Sequence, residues 1–510
     1  VMRAVDFEGN RLLRVRNPWG KGEWTGAWSD GAAEWTPARE AALEQTQADD
    51  GTFFIEFSDF IEQYNKFYIC RLYDDETGEK WHWNQCQGAW EGDMTGGSVR
   101  CPTWTNNPQF SIATDTPDTQ VFISLTQPEL LLSEKEKNPQ KTTMARMGFV
   151  LLRVQGANVR KRDLRAEDIV YQSPYVPNRE IAAEVTLEPE ESYVIVPTCL
   201  EAGEEGHFVL TVYSEHSIAL KDTLDIVDNV SQDSGEWNKA TGSDTPNGPN
   251  WRNLKQFSLH LQAAPGINGK IPVSLQLKNK NAAGKNKNKN AASAADLPAM
   301  GMYVFQDPPL SLVTDIGTAE VVGISLFRNA PEVFLDLELD PGHQYVVLPC
   351  CSERNQLASY TVSAIIPKNV GKVTLRQIKP AGLCRAQLDG VWFGDEAGGS
   401  GKEETWRENP RFQFHLTKPT TFTLILIQKK TLFPIGFYVV RDQDGDLQEN
   451  DLVGKTDFGA SPSVSQTYVD VPASNVPYTI VPCTYEKDCE GEFTVQIIST
   501  SKTSFKKVSL

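Results

Sequence analysis

The chain has 510 residues, a length that predicts three or four domains, each able to bury a hydrophobic core. With 67 acidic against 49 basic residues, its formal charge is −18, which argues against a protein that coats nucleic acid. The longest apolar run, around residues 422–427, is far shorter than the roughly 18–20 residues of a membrane-spanning helix. The chain opens at Val1 inside a predicted strand, so we expect it to be part of a longer polypeptide.

The first 75 residues differ in pattern from the rest. Alternating apolar residues predict a strand at 11–15, and Ala, Glu and Gln reach helical density over 37–48. A second apolar strand is predicted at 53–57, followed by a short helix capped by Ser58. We expect one face of this helix to be apolar, formed by Phe60, Ile61 and Tyr64.

From about residue 80 onward, three landmarks recur in the same order. One is a Trp and a Phe six residues apart, at Trp104 and Phe110, Trp251 and Phe257, and Trp406 and Phe412. Another is a glycine that opens an apolar strand, at Gly148, Gly301 and Gly436. The last is a strand from Tyr to Pro, at 193–197, 345–349 and 478–482. Three landmarks repeated three times predict three copies of one module.

Each copy contains short strands separated by turn signals, which is typical of an antiparallel β-sandwich. We therefore predict a mainly β chain: a small α+β unit at 1–75, then three sandwich modules in tandem at 76–222, 223–370 and 371–510. The repeated Trp and Tyr residues are interpreted as core anchors, which disfavours an array with exposed aromatics for carbohydrate or lipid. The repeated proline should end its strand or lie on a sheet edge, because it cannot donate a ladder hydrogen bond.

A low-complexity stretch of Lys, Asn and Ala at 278–295 interrupts the middle module. It carries five lysines and no acidic residue, so we expect a surface loop. It is also the one concentrated basic segment of an acidic chain. We expect its lysines, from Lys278 to Lys289, to bind an acidic surface on a protein partner.

The nine cysteines are thinly spread and include no Cys-x-x-Cys pair. This usage favours free buried thiols over a disulfide framework or a zinc site. It therefore favours a reducing, cytoplasmic location.

The segments RVRNPWG at 14–20 and GEWTGAWSD at 22–30, with Asp50 and Gly51 before the second strand, resemble the second half of the calpain cysteine-protease core. Calpains are papain-like, calcium-dependent proteases. The later modules resemble the β-sandwich of calpain domain III, most closely at 88–90, 95–97 and 107–110. The resemblance covers the whole chain and is looser in the second and third modules.

This resemblance implies that Asn17 orients the histidine of a Cys-His-Asn triad and that Trp19 shields the His–Asn contact from water. In the family, the nucleophilic Cys and the general-base His precede this motif, whereas all six His residues here follow Asn17. We therefore expect no hydrolysis by the chain as it stands. The favoured hypothesis is a pseudoenzyme that serves as a structural or adaptor module in a larger assembly, associated with the cytoskeleton. The alternative is an active calpain-like endopeptidase whose Cys- and His-bearing half lies upstream of Val1.

The same resemblance implies a calcium site with Glu23, Asp30 and Asp50 as ligands, since carboxylate oxygens suit this cation. Thr52 replaces a fourth carboxylate expected in the family, which should weaken binding. Two further acidic stretches are interpreted without a metal. Residues 442–446 are predicted to form a hairpin turn, and Glu201, Glu204 and Glu205 a solvated loop.

Overall fold

The fold is taken from a computed structural model. It describes residues 1–67, 81–128, 144–154, 160–223, 228–239, 242–246, 248, 251–280, 297–379, 382–430, 432–441 and 451–508. The chain divides into two compact units, Val1–Lys80 and Trp81–Leu510. The predicted hairpin at 442–446 and most of the lysine-rich stretch lie outside the described residues.

The first unit is a three-stranded antiparallel sheet with two short helices. Its strands are β1 (Arg3–Phe7), β2 (Asn10–Arg16) and β3 (Thr52–Glu56), with β2 in the middle, and its helices are α1 (Pro37–Leu43) and α2 (Phe57–Gln63). The core on one side of the sheet contains Leu12, Trp28, Leu43 and Phe54. The α+β character predicted for this unit is therefore confirmed.

Both helices differ in detail from the sequence-based prediction. α1 begins after Thr36, whose hydroxyl accepts a hydrogen bond from the amide of Arg39, and it ends at Leu43 because Glu44 adopts a left-handed conformation (φ 54°). α2 begins after Glu56, so the prediction that Ser58 caps it was wrong. Its expected apolar face is also only partly buried, because Phe60 is buried while Ile61 and Tyr64 are exposed.

The second unit consists of three antiparallel β-sandwiches, each made of a four-stranded sheet and a larger sheet. The strands of the first are β4 (His82–Trp90), β5 (Phe110–Thr114), β6 (Thr119–Thr126), β7 (Met147–Val154), β8 (Ile169–Gln172), β9 (Glu180–Leu187), β10 (Ser192–Cys199), β11 (Gly206–Ser214) and β12 (Ile218–Asp222). Those of the second are β13 (Asp228–Trp237), β14 (Phe257–Ala263), β15 (Ile271–Asn279), β16 (Ala299–Gln306), β17 (Glu320–Ile324), β18 (Arg328–Asn329), β19 (Glu332–Leu339), β20 (Tyr345–Cys351), β21 (Ala358–Pro367) and β22 (Gly371–Gln377). Those of the third are β23 (Cys384–Trp392), β24 (Arg411–His415), β25 (Thr420–Gln428), β26 (Pro434–Arg441), β27 (Leu452–Lys455), β28 (Gly459–Ala460), β29 (Ser463–Val471), β30 (Tyr478–Thr484), β31 (Gly491–Ser499) and β32 (Ser504–Val508).

The strand order is the same in all three sandwiches. The four-stranded sheets run β4-β11-β6-β9, β13-β21-β15-β19 and β23-β31-β25-β29. The larger sheets run β12-β5-β10-β7-β8, β17-β16-β20-β14-β22 and β27-β26-β30-β24-β32, and β18 and β28 pair separately with β16 and β26. The tandem array predicted from the three landmarks is thus confirmed, although β22 completes the second sandwich beyond the expected boundary at residue 370.

One hydrogen bond recurs between the two sheets of each sandwich. The indole nitrogen of a tryptophan at the end of the first strand donates to the carbonyl of the repeated proline. The pairs are Trp90 with Pro197 (3.0 Å), Trp237 with Pro349 (3.3 Å) and Trp392 with Pro482 (2.9 Å). The tryptophan rings are buried, so each indole N–H is satisfied inside the core.

The repeated proline lies within a central strand, which corrects the expectation that it ends a strand or sits on an edge. β10 continues through Pro197 to Cys199 and pairs along its full length with β7. On its other side, the pairing with β5 stops at Ile195. At Pro197 the sheet therefore requires no N–H donor on the β5 side, so the missing proline N–H costs no ladder hydrogen bond in this central strand.

The described cysteines are all free thiols, as predicted, but only half of them are buried. Those buried are Cys199, Cys350, Cys351 and Cys483, and those half-buried are Cys86, Cys101, Cys384 and Cys489. Among the described residues, no helix is long and apolar enough to cross a membrane.

Candidate functional site

Asn17 directly follows β2, in a loop that fixes the orientation of its side-chain amide. The Nδ2 group donates to the carbonyls of Lys21 (3.0 Å) and Gly22 (2.9 Å). The backbone N–H of Trp19 donates to Oδ1 at 3.2 Å. Because two carbonyls require a donor, Nδ2 faces the loop and Oδ1 is the acceptor end of the amide. This is the orientation needed to accept a hydrogen bond from an imidazole N–H.

Trp19 lies on the surface of the first unit. Its side chain is 83% exposed. The predicted shielding of a His–Asn contact therefore stays a prediction. What the loop supplies is an oriented amide with an exposed indole two residues away.

Gly51 connects Asn17 to the predicted calcium ligands. Its carbonyl accepts a hydrogen bond from the Asn17 backbone N–H at 2.7 Å, and its own N–H donates to a carboxylate oxygen of Glu23 at 2.8 Å. Its φ angle is +83°, and a Cβ atom here would lie only 2.9 Å from the Asn17 carbonyl oxygen. A glycine is therefore required both by the backbone conformation and by the close approach of the backbone segments that carry Gly51 and Asn17.

Glu23 and Asp50 lie close enough to Asp30 for their charges to interact with its carboxylate. Burial raises the pKa of Asp30, and the negative charges of Glu23 and Asp50 raise it further, while a hydrogen bond from Gln45 at 2.5 Å opposes this shift. Asp50 accepts a hydrogen bond from the backbone N–H of Thr52 at 2.8 Å. The three predicted ligands thus share one acidic region.

These carboxylates are not drawn together into a metal cage. Within the described ranges, no group of three or more His, Cys, Asp and Glu residues is placed to hold a metal ion. An oxygen of Glu23 binds the Gly51 amide, and an oxygen of Asp30 binds Gln45. The donor chemistry suits calcium, but the arrangement would have to close around the ion for all three ligands to bind it.

Two glutamines hold this acidic loop and were not anticipated from the sequence. Gln45 binds Asp30, and Gln47 accepts a hydrogen bond from the Gly31 amide at 2.6 Å. Both fall in the stretch for which a helix was predicted. Because α1 ends early, they are free to reach back across the loop, and the only available signal was the polar run that follows Leu43.

The described residues include no evident partner for Asn17 in catalysis. The sequence of the first unit contains no histidine, and its one cysteine, Cys70, lies outside the described residues. In the second unit, burial raises the pKa of the Cys199 and Cys351 thiols to about 12. Thiols with such pKa values are poor nucleophiles at neutral pH.

The predicted solvated acidic loop is also more structured than expected. Glu201 and Glu205 are exposed, but Glu204 is half-buried. Burial raises the pKa of the Glu204 carboxyl, which lies beside the Cys199 thiol. This loop is therefore partly packed against the first sandwich.

An Asn-Pro-Trp loop on a small α+β unit, followed by antiparallel sandwiches, defines part of a cysteine-protease core joined to accessory β modules. Comparison with known families agrees with this class. Residues 2–71 match the calpain family cysteine protease, and residues 86–213 and 388–498 match domain III of the calpain large subunit. The chain belongs to the calpain family. The matches to domain III fall on the first and third sandwiches, and the middle sandwich has the same strand order.

Curated relatives resemble different lengths of this chain. The calpain-type cysteine protease DEK1 of Arabidopsis thaliana is 32% identical over 43% of this chain and 11% of its own length. Calpain-8 of Rattus norvegicus is 34% identical over 45% of this chain and 36% of its own length. Serine/threonine-protein kinase 4 homolog B of Dictyostelium discoideum is 26% identical over 87% of this chain and 38% of its own length. The chain thus spans well under half of each of these relatives.

Proposed function

We propose that this chain is a structural or adaptor module of the calpain family, in which the Asn-bearing half of a protease core is kept without proteolysis. The observation that carries the proposal is the second unit, in which three sandwiches with one strand order offer several sheet faces to protein partners. The first unit contributes the Asn17-bearing part of a protease core, as its family match indicates.

The breadth of the similarity also supports an adaptor role. The relative that matches over 87% of this chain carries the name of a protein kinase, whereas the relatives named as calpains match less than half of it. Similarity over most of this chain therefore occurs in a protein with a different catalytic name. Such reuse fits a module that serves its host by binding.

The test is a peptidase assay on the full-length protein with casein and millimolar calcium. We expect no cleavage above background, and no change when Asn17 is replaced by Ala. Asn10→Ala is the matched control, because Asn10 lies in the same unit and its amide donates only to the nearby turn carbonyls of Phe7 and Glu8. Calcium-dependent cleavage that falls by roughly 10²–10⁴-fold in Asn17→Ala, but not in Asn10→Ala, would overturn the proposal.

That second outcome would establish the alternative function, a calcium-dependent cysteine endopeptidase completed by a Cys- and His-bearing half. One specific observation favours this alternative. The Asn17 amide presents its acceptor oxygen away from the two carbonyls that hold Nδ2, so the orienting role is still geometrically available.

We also propose that Glu23, Asp30 and Asp50 form a low-affinity calcium site whose ligands come together only when the ion binds. Burial raises the pKa of Asp30, and repulsion from Glu23 and Asp50 raises it further. That repulsion supports a shared site, since a divalent cation would relieve it. We expect the affinity to be low because Thr52 stands where the family has a fourth carboxylate, so the site has one negatively charged ligand fewer. Because Gly51 joins Glu23 to Asn17, binding would also tighten the loop that carries the amide.

As a partner, we propose a protein with an acidic surface, bound through the lysine-rich stretch between Lys278 and Lys289. At its described end, Lys280 donates to Ser234 on β13, which ties the start of the stretch to the middle sandwich. The remainder lies outside the described residues. A cytoplasmic location, with association to a cytoskeletal assembly, completes the proposal and is supported by the free thiols.

A further inference from the structure

The three sandwiches are joined by equivalent loops, but the two joints differ in chemistry. In each case the loop that follows the glycine-opened strand contacts the four-stranded sheet of the next sandwich. The loop after β7 contacts β15 and β19, and the loop after β16 contacts β25 and β29. The two joints therefore use equivalent elements of the fold and differ in the side chains that make the contact.

The joint between the first and second sandwiches is built from charged groups. One carboxylate oxygen of Asp336 accepts hydrogen bonds from the backbone amides of Arg162 (2.9 Å) and Asp163 (2.8 Å), and the other accepts one from Ser274 (2.6 Å). The Arg162 guanidinium forms an ion pair with Asp228 at 2.7 Å, and both side chains retain some exposure. Two carboxylates of the second sandwich thus hold the loop of the first.

This joint also contains a small cavity of about 20 Å³ between the two sandwiches. It is lined by Val154, Arg160 and Lys161 of the first sandwich and by Pro272, Val273, Ser274, Asp336 and Leu337 of the second. A space of this size accommodates about one water molecule. Among the described residues, no buried apolar cluster combines side chains from both of these sandwiches.

The joint between the second and third sandwiches contains an apolar core. Leu310 and Leu312 of the second sandwich pack against Ile425 and Ile498 of the third, and all four side chains are buried. Charged and polar contacts surround this core. The Arg252 guanidinium of the second sandwich donates to the hydroxyls of Ser463 (2.9 Å) and Ser465 (2.7 Å) of the third. Asp315 accepts hydrogen bonds from the Thr467 amide and the Ser465 hydroxyl, both at 3.1 Å.

We propose that the first joint is an ionic hinge, which opens without unfolding either sandwich, while the second and third sandwiches move as one rigid body. Charge pairs that keep partial access to water weaken as salt screens them, whereas burial of apolar surface does not. The hinge would let the first sandwich reorient within the array in response to ionic conditions or to a charged partner.

Hydrogen exchange of the full-length chain tests this hinge at matched positions. The Arg162 and Asp163 amides report the first joint, because both donate to Asp336, and the Thr467 amide reports the second, because it donates to Asp315. We expect Asp336→Ala to speed exchange of the first pair by about tenfold, since a bond to a charged acceptor is lost. Asp315→Ala should change exchange at Thr467 by less than about threefold, because the apolar core keeps the joint closed.

Exchange in the core strands β10 and β20 provides the folding control and should be unchanged in both variants. Should Asp336→Ala fail to fold, the wild-type protein is measured between 50 and 500 mM salt. Exchange at Arg162 and Asp163 should then rise by about threefold or more while exchange at Thr467 stays constant. No acceleration at Arg162 and Asp163 in either experiment, or equal acceleration at both joints, would overturn the proposal.

Discussion

At the scale of single residues, Gly51 is the point where the two candidate activities of the first unit meet. Its N–H holds Glu23 and its carbonyl holds the backbone of Asn17. An oriented amide and an acidic loop are thus two ends of one short hydrogen-bonded path. Any change in charge at Glu23 reaches the Asn17 loop through a single residue, Gly51.

Restoring the missing carboxylate should strengthen calcium binding. We expect Thr52→Asp to raise the calcium affinity of the full-length protein by about tenfold, because it adds a charged oxygen ligand beside Asp50. Thr52→Asn is the matched control, with the same shape but no added charge, and should change the affinity little. Isothermal titration calorimetry measures both. Equal affinities for the two variants would contradict the assignment of Glu23, Asp30 and Asp50 as ligands.

Because the pKa of Asp30 is raised, the calcium affinity of this site should depend on pH. The folded state binds the Asp30 proton more tightly than the unfolded state, so ionised Asp30 lowers stability above its folded pKa, and this cost disappears as the pH falls. Calcium competes with the same proton. The affinity measured by calorimetry should therefore weaken as the pH is lowered from 7 toward the pKa of Asp30.

At the scale of secondary structure, the tryptophan that ends the first strand of each sandwich connects its two sheets. The tryptophan ring lies against an aromatic side chain of the neighbouring strand. The glycine two residues before the tryptophan leaves room for that aromatic side chain. The contacts are Trp90 with Phe208, Trp237 with Tyr360 and Trp392 with Phe493, beside Gly88, Gly235 and Gly390. A single Gly-x-Trp motif thus provides a tilted aromatic contact and a hydrogen bond across the core.

Removing the indole N–H should destabilise one sandwich selectively. We expect Trp392→Phe to cost about 1–3 kcal/mol, because the buried Pro482 carbonyl loses its donor. Trp83→Phe serves as the control, since Trp83 is 64% exposed on β4, and should cost less than about 0.5 kcal/mol. Hydrogen exchange of β31 for the first variant and of β11 for the second, over a urea series, measures each cost. Equal costs would show that the bond to Pro482 contributes little.

Periodicity and repetition predicted the sandwiches well because each landmark is a core residue. Tyr193, Trp104 and Phe149 are all buried, so their spacing reflects packing that every copy must repeat. The details that could not be predicted depend on contacts distant in sequence. Pro197 is tolerated because β5 stops pairing at Ile195, and nothing near Pro197 in the sequence encodes that end.

The sequence could propose residues for the candidate site but not their connections. The motif led to the prediction of Asn17 and Glu23, yet the amide orientation depends on the backbone carbonyls of Lys21 and Gly22, which any sequence could supply. The link through Gly51 joins two loop residues, Glu23 and Gly51, that are 28 positions apart in the chain. Hydrogen bonds to backbone groups leave no mark on composition or spacing, which is why they required the structure.

At the scale of the whole molecule, the charge distribution suggests how the protein selects a partner. The chain carries a net charge of −18, and it concentrates lysines in one stretch of the middle sandwich. An acidic partner would be repelled by most of the molecule and attracted at one place. Such an arrangement favours a defined orientation of binding over general adhesion.

Binding of polyglutamate to the full-length protein tests this partner assignment. Replacing Lys285, Lys287 and Lys289 with Ala should weaken binding by about tenfold or more at low salt, because three attractive charges are lost together. The control replaces three lysines outside the stretch, Lys368, Lys372 and Lys379, which changes the net charge equally. If both triple variants lose affinity to the same extent, the stretch is not the binding element.

The contact between a loop of one sandwich and a sheet of the next has the same polarity at both joints, running from the N-terminal to the C-terminal sandwich. Each joint uses a loop of one sandwich and a sheet face of the next, so the two surfaces in contact are never the same. An interface made of two identical surfaces is complete after two copies. An interface made of two different surfaces leaves one of each free, so further copies can be added one at a time. Duplication of a sandwich therefore creates a matching contact without redesign of the previous one, and each new joint can then change its side chains independently. The charged first joint and the apolar second joint illustrate that freedom within a single polypeptide.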